Sequence, residues 1–189
     1  LTRTVSLPIF GKLADIYPTK PLYIVSILIF IVASLAAGFA KSMFVLIVCR
    51  AIQGIGAGGN FALVYIVLAD ISPSEERGKV YSLGSLVWGV ASVLGPTMGG
   101  FIAAYFSWPW IFFINAPLGL LSLAGVSSFL QETREKKKNA VIDYTGALTM
   151  PITVLGLLFV FLLSGRNHEW TSPLILSLWA VTVAFGILF

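Results

Sequence analysis

The chain has 189 residues, 58% of them hydrophobic and 11% charged, with a net charge of +4 and a mean hydropathy of +0.95. A typical soluble domain carries about 25% charge, so the composition argues against a water-soluble fold and the chain is counted in membrane spans of roughly 20 apolar residues each. The single cysteine, Cys49, lies in an apolar run, which rules out an intrachain disulfide or a Cys-based metal site and leaves it a small buried hydrophobe.

Residues 1–10 read as the tail of a span, too short to cross alone. Complete spans are predicted near 21–40, 43–69, 79–104, 110–131 and 145–164, and a last one at 173–189 is apolar to its final residue. Both ends of the chain are therefore expected to fall inside the membrane, within a longer parent. Continuous runs such as 22–40 show no polar and apolar alternation, so the spans are helices rather than strands of a barrel. The fold class is an all-α, polytopic transmembrane helix bundle.

Orientation follows from basic residues in the loops. One set holds Lys12, Lys20, Arg77, Lys79, Arg134, Lys136, Lys137 and Lys138, the other only Lys41 and Arg166, so the first set is assigned to the cytoplasm. Trp108, Trp110 and Trp170 then fall at the outer interface, where indoles prefer to lie. That bias already accounts for the basic run 134–138, leaving anionic-lipid recruitment by it as a lesser reading and nucleic-acid binding as a poorer one.

Arg50 lies about two turns into its span, and an arginine at such depth costs roughly 2.5–3.5 kcal/mol unless it faces protein or water. Gly54, Gly58 and Ala62 follow it at steps of four, a stripe without bulk that lets another backbone approach. Arg50 serves either substrate and proton coupling or a plain cap on a neighbour. In the next long span Ala91, Gly95, Gly99 and Ala103 repeat the spacing, with Pro96 removing a backbone donor; this predicts a close, slightly bent helix contact. Gly11, Lys12, Leu13, Ala14 and Asp15 are read as a loop that sets a carboxylate at a cytoplasmic helix end, where it can be drawn to the positive N-terminus of a neighbouring helix. Arg3, about 10 Å above the presumed cytoplasmic end at roughly 1.5 Å per residue, either snorkels towards the cytoplasm or lines a cavity and favours anionic or amphipathic substrates.

These features resemble a known family. Gly11, Leu13 and Asp15 through Lys20 are similar to the loop between spans two and three of the major facilitator superfamily, and Leu46, Arg50, Gln53 and Gly54 to its fourth-span motif. Gly84, Gly95, Pro96, Gly99 and Gly100 resemble the fifth-span antiporter motif. The run from Trp108 through Pro109, Trp110 and Asn115 to Pro117, with Asp143, Tyr144, Thr145 and Gly146, resembles the fourteen-span drug:proton antiporter branch. Ile16, Pro18, Thr19, Ala91 and Pro109 depart from the family pattern.

The resemblance implies 1–131 as an N-terminal helix bundle (end of span two to span six), 132–144 as a cytoplasmic linker and 145–189 as the extra spans seven and eight. It further implies alternating access by a proton-coupled exporter of drugs or other small amphipathic compounds. Arg50, Gln53, Gly54 and Arg3 would then serve coupling, and Gly11, Leu13, Asp15 and Lys20 a cytoplasmic latch. The partners are a small-molecule substrate, protons and the lipid bilayer, with no nucleic acid, no cofactor and no metal. The full-length protein is expected to be a monomer, multi-pass in the inner cell membrane.

No Asp or Glu falls in the middle of any span, Asp70 lying near a cytoplasmic end, so the proton-carrying carboxylate is expected elsewhere in the parent. An exporter of a specific metabolite, such as an amino acid, sugar or siderophore, is the nearest alternative. A membrane-embedded enzyme is disfavoured because the sole histidine, His168, lies in an outer loop and no nucleophile has an adjacent base. A channel is disfavoured because neither rings of like charge nor filter loops occur.

Overall fold

The computed structural model describes residues 1–132, 144–164 and 170–188. Its elements, in order, are α1 (Thr2–Ile16), α2 (Thr19–Gly38), α3 (Met43–Ile71), α4 (Arg77–Tyr105), α5 (Trp110–Phe113), α6 (Asn115–Phe129), α7 (Tyr144–Leu163) and α8 (Pro173–Leu188). Among the described residues, Thr19–Gly38, Met43–Ile71, Arg77–Tyr105 and Trp110–Phe129 are long and apolar enough to cross a membrane. The basic run 134–138, Asp143, Arg166 and His168 lie outside the described residues.

The helix ends follow local chemistry. Ser42 caps α3, its side chain accepting from the Val45 amide at 3.3 Å, and Ser72 followed by Pro73 ends that helix, because a residue before proline is pushed out of the helical region. Pro173 opens α8 at the first position, where a missing N–H costs nothing. The residues Gly11, Lys12, Leu13, Ala14 and Asp15, expected as a loop, instead belong to the last turns of α1, which stops at Ile16. Their apolar members explain the continuation: Ala14 and Ile16 are buried, and leaving the helix at Phe10 would expose backbone groups within the bilayer.

Helix α3 is the centre. Phe10 and Ala14 of α1 pack on Ala62 and Leu63 of α3, with Leu22 and Tyr23 of α2 against them. The stripe below Arg50 meets α1: a methyl group on Gly54 would collide with the Thr2 side chain, and one on Gly58 would sit 2.5 Å from the Arg3 carbonyl oxygen. A second bare face, Gly56 and Gly59, meets α2, and a methyl on Gly56 would sit 2.6 Å from the Phe30 backbone nitrogen. The same logic places Gly38 against Phe113 and Gly119 against Ile31. Polar side chains tie the layer together, Ser26 donating to Asn60 Oδ1 at 2.6 Å and Ser34 to the Phe112 carbonyl at 2.9 Å. Helices α7 and α8 pair through Gly156 against Thr182, and Leu155 of α7 borders a small cavity beside Val5 and Ile9 of α1.

Helix α4 stands apart, with none of its residues buried. It touches α3 on one side only, through Tyr81 on Tyr65 (ring centroids 5.9 Å) and Trp88 on Phe61 (5.7 Å), with Gly84 in ordinary contact with Leu68 and Tyr65. The close contact expected at Gly95 and Gly99 is not present: a methyl on Gly95, Gly99 or Gly100 would meet nothing within 4 Å among the described residues. The seam faces away from the α1–α3 core, so no described helix can fill it.

Gly56→Ala and Gly58→Ala should each lower stability by about 1–3 kcal/mol, as overpacking does. Gly89→Ala, with open space around it, should not. Thermal unfolding of the detergent-purified protein separates the two outcomes, and identical transitions for all three variants would remove the close helix approach.

Candidate functional site

At the level of Gly54, the first turn of α1 and the facing turns of α3 border an open cavity of about 490 Å³, lined also by Leu1. Thr2 and Arg3 contribute from α1, Phe30 from α2, and Arg50, Gln53 and Gly54 from α3. The glycine decides the shape, since any side chain at position 54 would close the gap to Thr2.

Arg50 faces this cavity. Its Nη1 donates to Gln53 Oε1 at 2.9 Å, a contact one helical turn apart, and its guanidinium lies 5.6 Å from the centre of the Phe112 ring. Gln53 is only 3% exposed, so its amide is held in place by α2 and α3 packing rather than by solvent. Arg50, Gln53, Gly54 and Arg3 are thus brought to one cavity.

The position of Arg3 differs from the snorkelling expectation. Because α1 continues to Ile16, Arg3 lies roughly 20 Å from that helix end at about 1.5 Å per residue, beyond the reach of its side chain. The guanidinium instead lies against an edge-to-face aromatic pair, 4.9 Å from the centroid of Phe61 on α3 and 4.9 Å from that of Trp88 on α4. Cation–π contacts are worth about 0.5–1 kcal/mol at exposed sites and about 2 kcal/mol when desolvated; with Trp88 43% exposed, the pair offsets part of the roughly 2.5–3.5 kcal/mol an arginine costs at a helix centre on insertion scales. Neither Phe61 nor Trp88 is singled out by sequence. The available signal was Trp88 itself, an indole deep within an apolar run rather than at the interface where indoles prefer to lie.

At the basic end of the bundle the contacts are redistributed. Asp15 is exposed, and no hydrogen bond among the described residues engages it. The N-terminus of α2 is held by Glu132, whose carboxylate accepts from the Thr19 amide at 3.2 Å and the Lys20 amide at 2.9 Å. Lys20 Nζ donates in turn to the Ser127 carbonyl at 2.8 Å, near the end of α6. An anion at a helix start and a cation at a helix end both suit the helix dipoles. Lys20 was expected at this end, Glu132 was not; Gly11 and Leu13 lie on α1 beside Asp15. Among the described residues no group of three His, Cys, Asp or Glu side chains could hold a metal.

Residues 1–189 match the sequence profile of the Major Facilitator Superfamily. Multidrug resistance protein 3 of Bacillus subtilis is 38% identical over 97% of this chain and 36% of its own length. Multidrug transporter protein MdtP of the same organism is 35% identical over 97% of this chain and 34% of its own. Efflux pump FUS6 of Gibberella fujikuroi is 32% identical over 98% of this chain and 35% of its own. The chain spans about a third of the length of the relatives it matches.

Trp88→Ala should destabilise the protein by about 1 kcal/mol, the worth of a partly exposed cation–π contact, whereas Trp88→Phe should retain most of it; thermal unfolding in detergent measures both. Glu132→Ala should cost roughly 1 kcal/mol, as loss of a helix cap does. An unchanged midpoint in that variant would show that the α2 terminus is held by other groups.

Proposed function

The chain belongs to the Major Facilitator Superfamily, and from that premise we propose that it forms part of a proton-coupled antiporter exporting drugs or other small amphipathic compounds by alternating access. It is of the membrane-transporter type, multi-pass, and not an enzyme. The observation that supports the finer reading is Arg50 on the lining of the α1–α3 cavity, in contact with Gln53 and the Phe112 ring. A cation at that depth is costly unless it faces protein or water, and such residues commonly mark substrate or proton pathways. The names of the relatives, two multidrug proteins and an efflux pump, support the export direction and the substrate class.

Residues 1–131 are the N-terminal bundle in this reading, with 132–144 a cytoplasmic linker and 145–189 two extra spans. The packing of α7 against the α1 face that carries Val5 and Ile9 is compatible with an added pair outside the core. The Gly95, Pro96, Gly99 and Gly100 seam would meet another helix of the full-length transporter, since side-chain-poor faces in membranes serve close helix approach. Gly84 would set the spacing of α3 and α4 at the basic end. Asp15, exposed where α1 ends, would engage a helix terminus in one state of the cycle, beside the Lys20 and Glu132 contacts that hold α2 to α6. The protein would act as a monomer in the inner cell membrane. Moving one charge across about 100 mV supplies about 2.3 kcal/mol, enough to drive modest outward accumulation.

In the full-length protein Arg50→Ala should abolish proton-driven efflux while leaving insertion intact. Uptake of a fluorescent substrate into everted vesicles energised by a proton gradient measures the first, and membrane fractionation the second. Efflux at the wild-type rate would refute the role given to Arg50.

A further inference from the structure

The short helix α5 is far from Arg50 in sequence, yet it supplies one of the two polar or ring contacts that the guanidinium makes among the described residues. That contact is the Phe112 ring, its centre 5.6 Å from Cζ and within cation–π range; the other is Gln53 Oε1. Ile114 interrupts the helical course between α5 and α6, and Pro117 has no N–H to offer the Phe113 carbonyl, so α5 leans on side chains of α2 for its place. A methyl on Gly38 would collide with the Phe113 ring, which sets α5 against the bare end of α2. Ser34, fully buried, donates its hydroxyl hydrogen to the Phe112 carbonyl at 2.9 Å. The same hydroxyl oxygen accepts from Asn115 Nδ2 at 3.0 Å, and that amide also reaches the Ile111 carbonyl at 3.4 Å. Both the donor and an acceptor site of one hydroxyl are therefore engaged in fixing the backbone from which the Phe112 ring projects.

We propose that Phe112 is a positioning residue for Arg50, and that Ser34 and Asn115 act on the cation through it. The inference rests on the transport role given to Arg50 above and names the residues that set where its charge sits. Gln53 shares a helix with Arg50 and moves with it, whereas the Phe112 ring is carried by backbone fixed to α2. A shift of α3 against α2 and α5 therefore changes what Arg50 meets. The ring is suited to this part because a cation–π contact is electrostatic and engages none of the five N–H donors of the guanidinium. Arg50 is held in place while its remaining donors stay open to other partners.

Phenylglyoxal modification of the purified full-length protein in detergent, without substrate or proton gradient, tests the positioning, with the rate at Arg50 read by peptide mass spectrometry. The reagent attacks the unprotonated guanidine, the form that a cation–π contact disfavours. Phe112→Leu, which keeps apolar bulk but removes the ring, should raise the rate at Arg50 about two- to fivefold, the equilibrium ratio to which an exposed cation–π contact amounts. Phe112→Tyr, which keeps the ring, should leave it near the wild-type value. Ser34→Ala and Asn115→Ala should each raise it, and neither should add to Phe112→Leu, since both act through the ring. Arg77, exposed at the start of α4, should react alike in every variant. An unchanged rate at Arg50 in Phe112→Leu, an equal rise in Phe112→Tyr, additive effects of Ser34→Ala and Phe112→Leu, or an equal rise at Arg77 would overturn the proposal. Proton-driven uptake of ethidium into everted vesicles reads the consequence for transport: the ratio of maximal rate to KM should fall about two- to fivefold in Phe112→Leu and recover in Phe112→Tyr. An unchanged ratio in Phe112→Leu, where Arg50→Ala abolishes uptake, also sinks the proposal. The expected labelling pattern with no uptake by the wild type sinks only the antiporter reading.

Discussion

In a bilayer, apolar side chains gain nothing by leaving lipid for one another, so helices associate where backbones can come close enough for dispersion and hydrogen bonding to act. Helix α3 satisfies this constraint twice. Gly54 and Gly58 admit the backbone of α1 at Thr2 and Arg3, and Gly56 and Gly59 admit α2 at Ser26 and Phe30. The two faces lie on nearly opposite sides of one helix, so α3 acts as a spine with α1 and α2 pressed against it. Leu63, fully buried, and Gln53, nearly so, are where they are because these glycines leave no room for water or lipid.

The close approach also creates the polar interior. With α1 held against α3, Thr2 and Arg3 arrive opposite Gly54, one turn from Arg50, and the cavity between them is lined by Arg3, Arg50 and Gln53 together with apolar side chains. Arg3 then finds its aromatic partners on two other helices, Phe61 on α3 and Trp88 on α4. This makes Arg3 one of the few links between α4 and the core, continuing the ladder of Tyr65 on Tyr81 and Phe61 on Trp88. Such a link is directional but dry of hydrogen bonds, so α4 can shift without leaving a buried donor newly unpaired. On the opposite side of the layer, Ser34, the Phe112 carbonyl and Asn115 form a hydrogen-bonded set that keeps α2 and the α5–α6 span together.

The ends of the bundle behave differently from its middle. Glu132 and Lys20 cross-link α2 and α6 through backbone groups that would otherwise be orphans, a fixed contact. Asp15, two residues before Tyr17 and outside that pair, is exposed. The α4 seam is exposed as well, with its glycines open on one side and its aromatic ladder engaged on the other. Fixed contacts therefore gather on α1, α2, α3 and α6, and open surfaces on α4.

Much was legible from the sequence alone. Runs of apolar residues bounded by proline and charge mark the spans, because backbone polar groups cannot be left unpaired in lipid, and the helices begin and end within a few residues of those marks, apart from α1. The stripe of Arg50, Gly54, Gly58 and Ala62 was readable because helical spacing is a local property. What the sequence could not show is which helix fills each bare face. Gly54 and Gly95 carry the same signature, yet only the first is filled here, since a glycine step records permission for approach and not the identity of the neighbour. The partners of Arg3, the second face at Gly56 and Gly59, and the engagement of Glu132 at the start of α2 were decided only by the tertiary structure. Each joins residues far apart in the chain, whose distance depends on how α1, α2, α4 and α6 settle around α3 and leaves no periodic trace in any one segment.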